Sequence, residues 1–575
     1  MKLFTFTREE RDIIPRKVSL SVLSGILLGF AFPPSPVGIL ACVGLVPLLI
    51  VLDETERTAA ALRWVYLAML IFHMITLNWT GGYAHMNDPY MMLAGAITMT
   101  LHPFFYFIPF GIFLFVRRRW GGTAALAGLP FFWVAYEYSH TLSEWSFPWL
   151  TLGNTQSYNL ARIQLVSFTG VIGLSLWILA LNVLTYMLLE SFRREGVHIR
   201  NRHNAVWLTA IVALFIAPTI YGTIALHTAP PAEEPIPPPA REQGKLITVG
   251  MIQANVDPWE KWKQTGFQII DQYVHMTDSL VRRASPKPDV VLWPETAMPY
   301  YILVPSNRAA LALVRGKIEE IGVPVLFGLP HAVYYEDATK APPSAKRVAS
   351  TGERYDAFNA AAFLQPGVEE IPWYGKMKMV PLAERVPYAD VFYFLDFLRW
   401  DVGIGGWQIG RDTLIFQEKK TGARFCTLIC YESVYPEFVA AFVQRGAEFI
   451  TIITIDSWWD RMSGAYQHHQ YAIFRAVENR RWVARCAVGG FSSFIDPYGR
   501  VFDKTELFTQ AVLSRTIERI DQASGTTFYT RNGDWIGRLA AVVSLALIVG
   551  SVVVVHSRRR HRSAQKQTHA QEMEP

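Results

Sequence analysis

The run Val290-Val291-Leu292-Trp293-Pro294-Glu295 places four apolar residues in a row and ends on a proline and a carboxylate. Successive side chains of a strand point to opposite faces. Four apolar residues in a row therefore mean a strand covered on both sides, as in the middle of a parallel sheet. Similar short runs recur around it, at Ile247–Ile252, Val323–Leu329, Ala360–Leu364, Thr427–Cys430, Phe449–Ile455 and Trp482–Val488. Helical periodicity lies between them. Phe267, Ile270, Val274 and Val281 share one helical face, and Arg308–Ile321 and Pro436–Arg445 read as two further helices. This alternation predicts an α/β domain with buried sheets over residues 246–525. The stretch Val333–Arg354 carries no such pattern and reads as a solvated loop.

Upstream of this domain the composition changes. Of 575 residues, 51% are hydrophobic and only 18% are charged, against about 25% in soluble domains. That balance excludes a disordered or collagen-like chain and points to apolar membrane spans joined to a globular part. A spanning helix takes about 20 mostly apolar residues. Candidates lie near Val18–Phe32, Val37–Leu52, Ala59–Leu77, Met91–Val116, Ala124–Tyr138, Ile163–Leu189, Ala205–Leu226 and Trp535–His556, of which the first, second and fifth are short. No small-residue cleavage site follows the first, so it does not read as a cleaved signal peptide. His73 and His102, among apolar neighbours, read as residues bonding to an adjacent helix. Glu137 reads either as the lining of an entry path for lipid or peptide, or as a side chain snorkelling to the interface.

The net charge of +6 carries no nucleic-acid reading, because the basic residues fall in particular short loops. Arg8, Arg11, Arg16 and Lys17 precede the first candidate span, and Arg57 and Arg63 flank the next basic loop. Arg117–Arg119, Arg193–Arg202 and Arg558–Arg562 follow in alternate connections, while Pro33–Pro36 and Asn78–Tyr90 contain neither Lys nor Arg. The positive-inside rule then puts both termini in the cytoplasm and the α/β domain on the opposite side. The expected organisation is a bundle of spans one to seven at 1–226, a Pro-rich linker at 227–245 and the α/β domain at 246–525. A last span at 526–556 and a basic cytoplasmic tail at 557–575, disordered after Arg562, complete it.

Three reactive residues follow strand-like runs: Glu295, Lys376 in Trp-Tyr-Gly-Lys-Met-Lys, and Cys430 at the end of Cys-Thr-Leu-Ile-Cys-Tyr-Glu. A thiol needs a base or a cation to become a nucleophile. A carboxylate can take its proton, and an ammonium can stabilise the oxyanion formed on attack at a carbonyl. Glu, Lys and Cys are thus a sufficient set for acyl transfer through a thioester. The four cysteines are too few for a disulfide framework. Cys426 and Cys430 have half the spacing of a zinc site without a second pair, so no metal is expected.

The strings around these residues are specific in combination. Val291-Leu292-Trp293-Pro294-Glu295-Thr296-Ala297, Lys376-Met377-Lys378-Met379-Val380-Pro381 and Ile429-Cys430-Tyr431-Glu432 resemble, in order, the three motifs of the nitrilase (carbon–nitrogen hydrolase) superfamily. With the apolar spans, the whole chain is similar to the apolipoprotein N-acyltransferases of bacterial inner membranes. Phe147-Pro148-Trp149-Leu150 with Gly153 and Gln156, and Gln467-His468 with Arg475 and Glu478, resemble further segments of that family. The chain departs from the family pattern at Leu382-Ala383, at Ile455 and at Ala487-Val488.

The resemblance implies a nitrilase-like α-β-β-α sandwich on an eight-span bundle. It implies Glu295 as general base, Lys376 as oxyanion stabiliser and Cys430 as nucleophile, with Glu384, Tyr431 and Glu432 in support and Trp262 near the substrate. It implies transfer of an acyl chain from a phospholipid to Cys430, then to the α-amine of a diacylglyceryl-modified cysteine at the N-terminus of an apolipoprotein. The implied partners are those two substrates and membrane lipids, with no nucleic acid and no cofactor, the chain acting as a monomer with its catalytic domain in the periplasm. Two other classes share parts of the pattern. A tethered amidase with water as acceptor would need only one anchor, and a non-catalytic scaffold or transporter would not need Glu295, Lys376 and Cys430 intact.

Overall fold

A computed structural model describes residues 8–82, 88–195, 202–231, 244–259, 261, 266–391 and 406–571. Trp262 and most of the linker, 232–243, lie outside the described residues. The first half is helical: α1 (Arg8–Phe30), α2 (Val46–Asp53), α3 (Thr58–Thr76), α4 (Pro89–Leu101), α5 (Phe107–Trp120), α6 (Gly122–His140), α7 (Val166–Glu195) and α8 (Arg202–His227). Among the described residues five segments are long and apolar enough to cross a membrane: Thr58–Thr76, Pro89–Trp120, Val166–Arg194, Asn204–His227 and Trp535–Val553. The other three expected spans are helical but do not meet that measure. α1 starts in the charged string Arg8-Glu9-Glu10-Arg11-Asp12, Gly38–Asp53 is short, and α6 carries Glu137, Ser139 and His140 in its last turn.

Two ends of this bundle differ in chemistry. At one, Arg16 meets Glu54 at 2.8 Å, Lys17 donates to the Thr55 hydroxyl at 3.1 Å, Arg117 donates to the Thr55 carbonyl at 2.6 Å, and Arg193 lies 4.0 Å from Glu54. At the other, the loops containing Pro33, Trp79 and Trp149 meet the α/β domain. His73 donates to or accepts from His102 at 2.8 Å and bonds the Met69 carbonyl, so these histidines do tie neighbouring helices together. Glu137 takes neither of its two expected roles. It is buried and accepts from the Trp133 indole at 2.9 Å and from the Leu152 backbone N–H at 2.8 Å, which anchors the loop after α6.

The α/β domain holds two sheets. The first has strand order β13-β1-β2-β3-β5-β4, with β6 also on β5. Its strands are β1 (Leu246–Gln253), β2 (Val290–Leu292), β3 (Val325–Tyr334), β4 (Lys346–Arg347), β5 (Arg354–Leu364), β6 (Trp373–Gly375) and β13 (Ala511–Glu518). The second runs β12-β11-β10-β9-β8-β7, from β7 (Phe416–Gln417), β8 (Arg424–Ile429), β9 (Phe449–Thr454), β10 (Val483–Ala487), β11 (Ser493–Ile495) and β12 (Val501–Phe502). β2 lies parallel between β1 and β3, with Val291 opposite Gly250 and Val325. The pleat sorts its side chains. Val290 and Leu292 join Phe425, Phe449 and Ile453 between the sheets, whereas Val291 and Trp293 join Tyr273 and Ile318 of α9 (Gly266–Arg283) and α10 (Arg308–Ile321). Helices α11 (Pro436–Gln444) and α12 (Ser463–Asn479) cover the outer face of the second sheet through Phe442, Ile473 and Val477.

Two sequence expectations change. The stretch read as a solvated loop is paired only at its two ends and at Lys346-Arg347: β3 and β5 stay in register to Tyr334↔Tyr355, whose rings lie 5.4 Å apart, and β4 adds to the start of β5. Aromatic cross-strand pairing extends the hairpin past its apolar core. The tail read as disordered continues the last helix, α13 (Trp535–Gln571).

Candidate active site

β2 ends at Leu292, and the chain turns at Pro294 to present Glu295, 5% exposed. The turn is tight. A Cβ on Gly328 of β3 would sit 2.4 Å from the Thr296 nitrogen and 2.7 Å from the Glu295 Cα, so only glycine lets β3 pass beneath it. Glu295 Oε1 accepts from Asn359 Nδ2 at 2.8 Å, and Oε2 accepts from the Ile455 N–H at 3.1 Å.

Lys376 follows β6 and is fully buried. Its Nζ donates to Glu384 Oε1 at 2.8 Å and stands 3.6 Å from Glu295 Oε1. Burial disfavours its charge, but Glu384, Glu295 and Cys430 together outweigh that and hold its pKa above the ordinary lysine value. Glu384 is occupied on both oxygens, because Oε2 accepts from the Val380 N–H at 2.9 Å. Lys378, two residues on, lies instead over the Tyr435 ring at 5.0 Å.

Cys430 follows β8 with φ of 53°, in the left-handed region that non-glycine residues rarely occupy. It is 9% exposed, and burial pushes its thiol pKa up, with Glu295 adding to that and Lys376 opposing it. The structure therefore brings Glu295, Lys376, Glu384 and Cys430 into one buried cluster. Glu432 sits behind them. Its Oε1 accepts from the Tyr374 hydroxyl and the Met377 N–H, both at 2.6 Å, and Oε2 accepts from the Ile429 N–H at 2.8 Å. It thus ties the lysine segment to the cysteine turn. Tyr431 points the other way, toward the membrane half. Its ring stacks on Trp149 at 6.2 Å and 11°, and its hydroxyl donates to the Ser146 carbonyl at 3.2 Å. Cys426 lies fully buried within β8.

Asn359, Asp456 and Arg485 around the cluster stand outside the three motifs that carry Glu295, Lys376 and Cys430. Asn359 bridges Glu295 and Glu384, at 2.8 and 3.3 Å. Asp456 accepts from Arg485 at 2.8 Å and bonds His468 Nδ1 at 2.9 Å, while His468 Nε2 lies 3.1 Å from the Cys430 carbonyl. Burial raises the Asp456 pKa, but Arg485 and His468 overcome this and hold it well below the usual carboxylate range. A lone polar residue inside an apolar strand, such as Asn359 in Phe-Asn-Ala-Ala-Ala, is the signal that finds such groups, since a buried amide needs partners. Among the described residues no group of three or more His, Cys, Asp or Glu is arranged to hold a metal ion.

Comparison with known proteins adds the following. Residues 24–184 match the apolipoprotein N-acyltransferase N-terminal domain, and residues 248–524 match the carbon-nitrogen hydrolase family. An apolipoprotein N-acyltransferase of Chlorobaculum tepidum is 32% identical over 95% of this chain and 98% of its own length. One from Geobacter metallireducens is 30% identical over 97% of this chain and 98% of its own. Among solved structures, an amidase from Nesterenkonia sp. aligns at 15% identity and a TM-score of 0.32, over 48% of this chain and 92% of that one.

Proposed function

We propose, from the premise that the chain belongs to the apolipoprotein N-acyltransferase family and is an acyltransferase, that it N-acylates lipoproteins in two steps through a thioester on Cys430. The observation that carries this reading is the buried cluster in which Lys376 stands between two carboxylates beside Cys430. Lys376, held charged, cannot act as a base. Both carboxylates accept hydrogen bonds on both oxygens, but Glu384 makes the short 2.8 Å ion pair with Lys376, whereas Glu295 stands at the longer 3.6 Å. Glu295 is therefore the carboxylate less committed to the lysine, and we assign it as the one that takes the proton. The raised thiol pKa means that proton transfer to Glu295 accompanies attack.

In the first step the Cys430 sulfur adds to an ester carbonyl of a phospholipid as its proton passes to Glu295. The oxyanion collapses, the C–O bond breaks, and Glu295 returns the proton to the departing lysophospholipid oxygen. In the second step the α-amine of the diacylglyceryl-cysteine adds to the thioester and gives a proton to Glu295. The C–N bond remains, the C–S bond breaks, and the thiol regains its proton. Lys376 faces an oxyanion in both steps.

Eight spans, with both termini cytoplasmic and the α/β domain periplasmic, fit this chemistry. The gathering of Arg16, Lys17, Arg117 and Arg193 at the bundle end away from that domain supports the orientation. A protease that cannot cross the membrane, added to intact spheroplasts, is expected to cut within Val333–Arg354. Cleavage of the C-terminal tail alone would invert the topology. For the chemistry, the purified protein is mixed with a phospholipid carrying a fluorescent acyl chain. Label is expected on wild type and Cys426→Ala but not on Cys430→Ala, and is expected to move to an added diacylglyceryl-cysteine peptide. Label that leaves only as free fatty acid would identify a hydrolase.

A further inference from the structure

Lys261 is 4% exposed, yet it is no part of the cluster described above. Its backbone N–H donates to the Asp257 carbonyl at 2.9 Å. Its ammonium donates to both the carbonyl and the hydroxyl of Thr296, the latter at 2.7 Å. Thr296 directly follows Glu295 and has φ of 46°. A β-branched residue in that region is a true outlier, and such a conformation persists only where surrounding contacts over-determine it. From below, Gly328 leaves room for the turn. From the other side, two hydrogen bonds from one buried ammonium hold it.

Resting on the reading of Glu295 as base, we propose that Lys261 is a positioning residue that fixes the Glu295–Thr296 turn and so holds the base in place. The charges support this. Burial pulls the Lys261 pKa down to about 7, and Glu295 pulls it back up, so the two groups feel each other. The groups facing Glu295 are Lys376 at 3.6 Å, the neutral Asn359 amide, the Ile455 N–H and Cys430, with Glu384 beyond Lys376 and Asp456 behind Cys430.

The test is the rate of label transfer from the fluorescent phospholipid to Cys430, measured across pH for wild type, Lys261→Met and Lys261→Gln, with Glu295→Gln in parallel. Lys261→Met is expected to slow acylation by about 10- to 100-fold, the scale of a misplaced catalytic group, with little change in KM. Lys261→Gln should show a smaller loss of rate, because its amide can still donate to Thr296, and it keeps the test readable should the Met variant not fold. Equal rate losses in the Met and Gln variants, or a lower melting temperature with a wild-type acylation rate, would make Lys261 a purely structural residue and overturn the proposal. If Glu295→Gln is slow while both Lys261 variants are normal, only the positioning role falls. If Glu295→Gln turns over normally, the base assignment falls and this proposal with it.

Discussion

Gln467 offers the most exacting test of how the two halves of the chain work together. It is 1% exposed on α12 and uses every hydrogen-bonding position it has. Oε1 accepts from the Trp79 indole at 3.0 Å and the Trp149 indole at 2.6 Å, and Nε2 donates to the carbonyls of Pro33 at 2.9 Å and Thr76 at 3.1 Å. Gln467→Met keeps the shape and removes all four bonds. At a net value of about 0.5–1.5 kcal/mol each, the loss is roughly 2–6 kcal/mol. Pro33, Thr76 and Gln467 line a cavity of about 600 Å³; water drawn into it by the freed carbonyls would hold the cost to the lower half, about 2–4 kcal/mol. At roughly 2–3 °C per kcal/mol for a domain of this size, melting in detergent should drop by about 5–10 °C. Acylation of Cys430 should also slow, because Trp149 stacks on Tyr431, the residue after the cysteine. Gln467→Glu keeps one acceptor oxygen for both indoles but turns the lone pairs of its second oxygen toward two carbonyls, and is expected to be no better than Met. A melting temperature within 1 °C of wild type for either variant would refute the reasoning.

Three further outcomes are expected. Lys376→Met should slow both half-reactions by about 10²–10³-fold, while Lys378→Met, whose ammonium lies over Tyr435, should be mild; single-turnover labelling and release rates separate the two. Glu432→Gln should destabilise by about 1–3 kcal/mol despite its shape, because all of the carboxylate's partners are donors and the new amide N–H₂ would face one of them; chemical unfolding monitors it. Asp456 has its pKa depressed in the folded state, so its contribution is present above the unfolded value of about 3.9 and is lost as pH falls below it. Asp456→Asn should therefore flatten the acid limb of the stability profile, and an unchanged limb would count against the Arg485–Asp456–His468 network.

What the sequence discloses follows burial. β2 is legible because a strand covered on both faces has no polar residues to break its run, and the same holds for β8, β9 and β10, whose described side chains are nearly all buried. β13 escapes notice because it lies at the edge of its sheet, with a mixed burial pattern and Ser514, Arg515 and Thr516 in its middle. β6 is three residues long, too short for any period to register. Glu295, Lys376, Glu384 and Cys430 are visible as motifs on separate strings. The groups that hold them, Asn359, Asp456, Arg485 and Lys261, come from four further segments, and no local pattern joins residues that meet only in three dimensions.

α12 shows why a helix in this position must be polar and yet buried. From Gly464 to Asn479 every residue except Tyr466 is buried, because the helix lies between the second sheet and the membrane half. Its polar side chains therefore need partners on two sides, and helical spacing sorts them. Gln467, Tyr471 and Glu478 recur at i, i+4 and i+11 and bond to Trp79 and Trp149, to the Trp149 carbonyl at 2.9 Å and to the Val171 N–H at 3.1 Å. His468 and Arg475, seven residues apart, reach the turn after β8 instead. His468 lies 3.1 Å from the Cys430 carbonyl, and Arg475 donates to the carbonyls of Ser433 and Val434 at 3.2 and 3.1 Å. One rigid element thus fixes the cysteine turn on one side and the tryptophan-bearing loops of the bundle on the other. On the proposed mechanism a lipid that reaches the cluster would meet a cysteine whose backbone is already set, which is the condition for attack without reorganisation.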